Sequence, residues 1–178
     1  MRTLMICVGA LLSSFAAQAA PGDVFLMHIP NITGEVTRSH YAGWIAVNAF
    51  SAGITTSVDS SSGSVSGRPV CSPLVAIKPL DTTSPELALA AATGEHFATV
   101  TLAALAGGGQ QHEFLRFTLK NAIITSIVFG GDTAASSRTE TVSIIAEQVQ
   151  ITATPQLENG QAGTPVTTNY GCGSGAIR

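Results

Sequence analysis

Short runs in which apolar and polar residues alternate, separated by turn residues, cover most of the chain. Leu115, Phe117 and Leu119 alternate with polar neighbours, which is the two-residue period of a half-buried strand. Comparable patterns predict strands over 23–29, 44–58 and 70–80, followed by a succession of strands from 96 to 153. Many short strands with turns between them predict a mainly β protein, either a β-barrel or a two-sheet sandwich.

Irregular positions interrupt the strand patterns. Gly53 predicts a bend or a bulge, and Asn121 predicts a break. The apolar positions change parity along the last strand, which predicts a β-bulge near Ile144 and Ile145. The connecting segments 31–42, 59–67, 107–109 and 130–138 are predicted to be loops or turns. At twelve residues, 31–42 is long for a simple connection, and loops of that length are usually functional or disordered.

One helix is predicted among these strands, over residues 84–93. Ser84 can serve as the N-cap with Pro85 at the first helical position, or Thr83 can cap with Glu86 completing a capping box. Ala and Leu fill the interior, and Gly94 predicts the left-handed C-cap. A helix this short is unstable alone, so we expect it to pack on the flank of the sheet through Leu87 and Ala91.

The first nineteen residues are predicted to be a secretory signal peptide. Arg2 provides the positive region, an apolar stretch follows, and Ala17-Gln18-Ala19 supplies small residues for cleavage after Ala19 or, as second choice, after Ala20. No other stretch is long and apolar enough to predict a membrane span. We therefore expect one exported domain over 20–156, periplasmic or extracellular, followed by a tail over 157–178.

Removal of the signal would leave two cysteines, Cys71 and Cys172, about 100 positions apart. In an oxidising compartment a pair favours a disulfide, and closing a loop of that size stabilises a fold by about 4–5 kcal/mol in the loop-entropy model. Two free thiols, or a bond between chains, are the alternatives. Without the bond, nothing in the sequence of the tail predicts how it is anchored.

The composition is unusually poor in charge. Charged residues make up 11% of the chain, against about 25% in typical soluble domains. Such a surface favours an assembling or extracellular protein. The formal net charge of −3 and the lack of a Lys/Arg run argue against a nucleic-acid partner.

Candidate catalytic and metal-binding patterns are weak. Glu95-His96 and His112-Glu113 lie at predicted strand ends, and neither has a second histidine four residues away as a catalytic zinc helix requires. His28 and His40 are isolated. Serine flanked by glycines at −2 and +2 is absent, and 107–109 lacks the Lys-Ser/Thr of a phosphate-binding loop. Asn31-Ile32-Thr33 fits a glycosylation sequon, a frequent triplet. We expect no catalytic residue, no metal and no cofactor.

Four segments of the chain follow one another in a recognisable order: IPNITGEVTRSHYAGWIAVNAFSAG, KPLDTTSPELALAAATGEHF, VTLAALAGGGQQHEFLRFTLKNAIITS and TETVSIIAEQVQITATPQ. Together they resemble the Hcp family, the haemolysin-coregulated tube proteins of bacterial type VI secretion. The resemblance runs from about 23 to 156, and the signal peptide and the C-terminal tail are additions to it. It implies an Hcp-like β-barrel of two sheets with one short helix packed on its flank.

The resemblance also implies an assembly. Family members form a ring of six copies around a pore, and stacked rings make a tube that carries effector proteins and meets a spike protein. An extended loop reaches from one ring to the next, and here it corresponds to Gly34, Glu35, Val36, Thr37, Arg38, Ser39, His40 and Tyr41. Tyr41 and Trp44 at its end are suited to anchor it, because aromatic rings bury a large area at low entropic cost.

Two other functions remain open from the sequence. One is a stand-alone secreted binding or surface-filament protein that reuses the fold. The other, a small hydrolase effector, lacks any visible nucleophile–base or metal constellation. The leading prediction is a non-enzymatic, exported tube or carrier subunit whose main partner is itself.

Overall fold

The fold is known from a computed structural model, which describes residues 22–56, 59, 61–63, 69–107, 112–133 and 137–172. Within these ranges it contains eight strands and one helix. The helix α1 spans Ser84–Thr93; the strands are β1 Val24–His28, β2 Ile45–Val47, β3 Ala49–Thr55, β4 Val70–Pro79, β5 His96–Leu105, β6 Glu113–Asp132, β7 Ser137–Ala153 and β8 Val166–Gly171. The prediction of a mainly β fold with one short helix is confirmed.

All eight strands belong to one antiparallel sheet that closes on itself. The strand order is β2-β1-β5-β6-β7-β4-β3, with β8 also paired to β7. β2 and β3 are consecutive pieces of one segment, since only Asn48 separates them. The Asn48 N–H donates a hydrogen bond to Ile77 O on β4, at 2.7 Å. One chain segment therefore pairs with β1 at one end of the order and with β4 at the other, which gives the sheet its barrel-like form.

Two apolar clusters lie on opposite faces of β1. Met27 faces the large core, and Leu26 faces a small cluster with Ala103 and Leu105. Side chains alternate between the two faces of a strand, so both faces of β1 must be covered. The large core covers one face, and the loop between β1 and β2 covers the other.

Along the long strands β6 and β7, the set of alternate residues that points into the core switches at the same level in both strands. Leu119 pairs with Val149 and Ala122 pairs with Ala146, all four buried, so each strand turns between them. Asn121 takes a left-handed backbone there, with φ 50°. The predicted break at Asn121 is therefore a turn of the strand that does not end its pairing.

The predicted β-bulge near Ile144 and Ile145 is at the right level of the sheet but in the wrong strand. Ile124 pairs with Ile144 and Ser126 pairs with Ser143, so the extra residue is Thr125 of β6. The parity change that motivated the prediction lies further along β7, between Ala146 and Val149. The register also shifts between Ser51 and Gly53, since Ser51 pairs with Val75 and Gly53 with Ser72, so the irregularity predicted at Gly53 is present but its extra residue lies in β4.

The helix lies where the sequence predicted, but its N-terminus is capped differently. Thr83 occupies the N-cap position and its side chain makes no capping hydrogen bond. Instead the carboxylate of Asp81 accepts hydrogen bonds from the Thr83 N–H at 2.9 Å and the Thr83 hydroxyl at 2.5 Å. Gly94 closes the other end with φ 67°, as predicted.

The helix packs against β6 through one narrow face. Leu87 and Ala90 are fully buried in the large core, and Ala91 packs against it partly buried. Leu89 on the other side is 64% exposed. The contact through Leu87 is therefore firm, whereas Ala91 lies at its margin.

A buried ion pair joins β4 to β7 near the start of the helix. Lys78 Nζ lies 2.6 Å from Glu140 Oε1, both side chains are 0% exposed, and the two residues pair directly across the strands. Lys78 Nζ also donates to Asp81 Oδ1 at 2.9 Å and to Pro79 O at 2.8 Å. The amino-acid sequence does not predict this network, because charged residues far apart along the chain carry no sign of being cross-strand partners.

The tail contains a strand that its sequence did not predict. β8 pairs with the Gln148–Ala153 end of β7. Cys71 and Cys172 form a disulfide with their Cα atoms 5.3 Å apart, across a sequence separation of 101. The tail is therefore tied to the body by both a strand ladder and a covalent bond.

Some predictions fall outside the described residues. The signal peptide lies wholly outside them, as do 108–109 of the predicted turn at 107–109 and most of the predicted loop at 59–67. Among the residues described, no helix has the length and the apolar character needed to cross a membrane.

Candidate functional site

The loop between β1 and β2 folds back on itself and is held by its own backbone. The Gly34 N–H donates to Gly43 O at 2.8 Å, and the Gly43 N–H donates to Val36 O at 2.8 Å. The Val36 N–H donates to Trp44 O at 3.1 Å, and the Trp44 N–H to Tyr41 O at 3.1 Å. Although no strand is formed, this segment, hereafter the 31–44 loop, has a defined shape.

Two aromatic residues fix the base of the loop on the barrel. Tyr41 and Trp44 pack with Val36 against the small apolar cluster of Leu26, Ala103 and Leu105. Their rings meet edge to face, with centroids 5.0 Å apart. This geometry is favourable for aromatic pairs, so the anchoring role predicted for the two residues has a physical basis.

An ion pair on β6 completes the base. Arg116 binds the carboxylate of Glu113 through two nitrogens, at 2.6 and 2.5 Å, and the Tyr41 hydroxyl donates to the same carboxylate at 3.1 Å. The guanidinium also lies 5.9 Å from the centre of the Trp44 ring, within reach of a cation–π interaction. Loop and barrel are therefore joined by polar as well as apolar contacts.

The surroundings in this cluster raise the pKa values of two of its side chains, Tyr41 and Arg116. Burial, followed by the negative charge of Glu113, raises the pKa of Tyr41 above its ordinary value. The hydrogen bond to Glu113 is the main reason why the pKa of Arg116 is raised. Tyr41 is thus a neutral hydrogen-bond donor at neutral pH and is poorly suited to act as a nucleophile.

A β-bulge brings Glu113 and Arg116 together. Residues three apart in a regular strand point to opposite faces. Here Ala104 pairs with Leu115 but Leu105 pairs with Glu113, which makes Phe114 the extra residue and turns Glu113 toward Arg116. Neither the pair nor the bulge was predicted, because nothing in the sequence around Phe114 reports the register against β5.

A second anchor joins the loop to the turn that precedes the helix. The Thr82 N–H donates to Glu35 Oε1 at 3.1 Å. The loop is consequently fixed at its base by Tyr41 and Trp44 and along its side by Glu35. The exposed part of the loop is its tip, where the side chains of Thr37, Ser39 and His40 are exposed.

The predicted loop residues therefore divide into two groups. Gly34, Val36 and Tyr41 are held by the barrel or by the loop itself, and Glu35 is engaged with Thr82. Thr37, Ser39 and His40 present exposed side chains, and Arg38 is half-buried. Only the second group is placed to meet another molecule directly.

The dipeptide Glu95-His96 lies at the junction between the helix and β5. The Glu95 N–H donates to Ala90 O at 3.1 Å as part of the helix end, and exposed His96 begins β5, paired with Ile123. His28 lies against the Trp44 ring at 5.4 Å. Throughout the described ranges, no group of three or more His, Cys, Asp or Glu side chains is arranged to hold a metal ion.

Comparison with known proteins gives the relationship of this chain. Residues 26–152 match the family described as "Type VI secretion system effector, Hcp". The chain belongs to the Hcp family. The match covers the described sheet from β1 almost to the end of β7, together with the helix and the 31–44 loop.

One curated relative and two solved structures illustrate the similarity. Protein hcp1 of Pseudomonas aeruginosa is 35% identical over 91 residues, covering 50% of this chain and 56% of that protein. The aligned part therefore spans little more than half of that relative's length. The "Structure of a type six secretion system protein" superposes with TM-score 0.79 and 25% identity, covering 84% of this chain and 96% of the other. Hcp1 from Salmonella typhimurium superposes with TM-score 0.69 and 20% identity, covering 84% and 95%. Both structural alignments cover more of the chain than residues 26–152 do.

Proposed function

We propose that this protein is a non-enzymatic, exported subunit of the Hcp type, which assembles into hexameric rings and serves as a tube or carrier for effector proteins. Membership of the Hcp family supports this proposal, since the family gives the fold and a role in type VI secretion. The observation that carries it further is the 31–44 loop, which is anchored by backbone hydrogen bonds while its tip is exposed. A binding element needs this combination, because an ordered loop loses less entropy when it meets a partner.

Ring formation also agrees with the low charge of the chain. With 11% charged residues, the surface carries few groups that must stay hydrated. β6 extends to Asp132, whereas its pairing with β5 ends at Ile123, so among the described residues no strand ladder covers that edge of β6 over 124–131. Val128 and Phe129 on that part are 59% and 53% exposed. Closed symmetric assemblies cover such edges.

Within this proposal, the tip of the 31–44 loop makes the contact between stacked rings. Thr37 and Ser39 are neutral and exposed, so a partner can approach them without burying a charge. We expect the double substitution Thr37→Asp/Ser39→Asp to keep rings and to abolish stacks, since the contact between rings would then bury two carboxylates. Electron microscopy and sedimentation of the purified protein measure rings and stacks separately.

The matched control for this experiment is Thr37→Ser/Ser39→Thr, which exchanges the same two side chains and adds no charge. Control and wild type should then stack alike. Equal stacking by the aspartate variant would remove the loop from the inter-ring contact, and loss of the rings themselves would place these residues between subunits of one ring.

Export is the second part of the proposal. Mass spectrometry of the chain recovered outside the cytoplasm should show a new N-terminus after Ala19, or after Ala20. Recovery of the chain beginning at Met1 would mean that the first nineteen residues are retained. A strictly monomeric exported protein would instead favour the stand-alone binding module.

A further inference from the structure

The C-terminal strand β8 pairs with β7 beside the stretch of β7 that pairs with β4. Along one edge, β7 pairs with β4 over Thr139–Ile144 and then with β8 over Gln148–Ala153. Its other edge is taken by β6 over the whole length. Between Ile144 and Gln148, the partner of β7 therefore changes from one strand to another. We call this place the fork.

The disulfide lies at the fork. Cys71 belongs to β4, where that strand pairs with β3 beyond its last pair with β7. Cys172 follows β8 directly, and its N–H donates to Glu147 O at 2.8 Å. β4 and β8 both pair with this edge of β7, but they do not pair with each other. The disulfide links β4 to the end of β8 at the place where that edge passes from one strand to the other.

Few side-chain contacts hold β8 besides this bond. Its side chains are exposed except that of Tyr170, which is half-buried, and Val166 is 70% exposed. A Thr152–Thr167 hydroxyl contact at 2.9 Å is also exposed. A strand added to an edge with little apolar burial is marginal on its own, and such elements open first.

A small cavity of about 20 Å³, with room for about one water molecule, lies behind the fork. Leu74, Phe117 and Val149 contribute to its wall, and Tyr170 and Cys172 contribute from the side of β8. Departure of β8 would remove those two residues and uncover part of the large core. Because that exposure costs free energy, the core contacts of Tyr170 and Cys172 favour the closed position of β8 together with the disulfide.

We infer that the Cys71–Cys172 disulfide is a redox lock on β8, so that reduction frees this strand and uncovers the Gln148–Ala153 edge of β7 while the rest of the barrel stays folded. Cys71 is half-buried and Cys172 is buried, so attack on Cys71 Sγ is the accessible route. A dithiol forms a mixed disulfide there and releases the Cys172 thiolate. Its second thiol then displaces Cys71, so that two electrons and two protons pass to the cysteines and the reductant leaves as a disulfide.

If the export step of the proposed function holds, the disulfide is open before export and closes afterwards. The cytosol keeps thiols reduced and compartments outside it oxidise them. The newly made chain would then carry an unlocked β8, which oxidation fixes after export. The local behaviour of β8 itself rests only on the geometry of the fork.

Hydrogen exchange of the purified protein, followed by mass spectrometry, tests the lock. Exchange is compared before and after reduction with dithiothreitol, with peptides covering 148–153 and 166–172 as the reporters. We expect their exchange to become about tenfold faster or more, since the ladder between β7 and β8 opens. Peptides over 97–104, in the ladder between β5 and β6, should be unchanged.

The double variant Cys71→Ser/Cys172→Ser is the control, because it should show the fast exchange with and without the reductant. Unchanged protection of 148–153 in the reduced wild type would overturn the inference, since the ladder would then hold β8 unaided. Faster exchange over 97–104 as well would also overturn it, because the bond would then support the whole barrel. Both readings come from the wild type, so the inference stays testable if the variant fails to fold. They are independent of whether rings form.

Discussion

At the residue scale, the 31–44 loop depends on a glycine with no room for a side chain. A Cβ atom built on Gly34 would lie 2.2 Å from Trp44 O. We expect Gly34→Ala to destabilise the protein by about 1–3 kcal/mol, because the backbones must separate. Gly131→Ala is the matched control, since a Cβ there has nothing within 4 Å. Urea unfolding measures both, and equal midpoints for the two variants would contradict the close approach.

The buried ion pair gives a second prediction at this scale. Replacing Lys78 with Met leaves Glu140 buried and without its 2.6 Å partner, which should cost about 3–5 kcal/mol. Lys78→Met/Glu140→Leu removes both charges and should recover much of that loss. Unfolding free energies of the two single variants and the double variant form the cycle, and strictly additive losses would show that the groups do not interact.

At the element scale, the start of the helix should give the protein a pH dependence. Burial alone would raise the pKa of Asp81, but hydrogen bonds from Lys78 and Thr83 outweigh it, so the pKa is lowered. The unfolded state then binds the proton more readily, with a pKa of about 3.9, and stability should fall as the pH drops below that value. Urea midpoints between pH 2 and 6 should show a weaker acid loss in Asp81→Asn. The same acid slope in that variant and the wild type would mean that other carboxylates cause it.

The buried face of the helix can be tested with two leucines. Leu87 is 0% exposed and Leu89 is 64% exposed, so Leu87→Ala should cost about 2–5 kcal/mol and Leu89→Ala far less. Glu95→Ala/His96→Ala should leave stability unchanged, because both side chains are exposed. Thermal or urea unfolding checks all three variants. A loss from Leu89→Ala as large as that from Leu87→Ala would mean that another surface covers the helix.

The elements differ in how far their sequences could predict them. Strong local signals gave the helix, with Pro85 near its start and Gly94 at its end, and periodicity gave β1 and β4–β7. β8 carries no such signal, because an edge strand with exposed side chains needs no apolar alternation. The bulge at Phe114 and the pairing of Lys78 with Glu140 depend on cross-strand register, which arises only when distant segments meet. The base of the candidate site was therefore predicted through Tyr41 and Trp44, and its polar half was missed.

At the scale of the whole molecule, one short segment both closes the barrel and positions the 31–44 loop. The segment Ile45–Thr55 closes the barrel by pairing with β1 and with β4, and the 31–44 loop immediately precedes it. The loop is therefore attached directly to the segment that closes the barrel, because Trp44 at the end of the loop immediately precedes β2. A barrel that presents one ordered loop is suited to repeated, identical contacts, which the proposed stacking of rings requires.

Light scattering of the purified, exported protein during size-exclusion chromatography tests the central claim most directly, because it measures the number of copies in solution. The proposed ring predicts a single species of six chains, unchanged on dilution through the micromolar range. The Glu95→Ala/His96→Ala variant should give the same mass, since both side chains are exposed and lie outside the 31–44 loop. A strictly monomeric protein at high micromolar concentration would contradict the account.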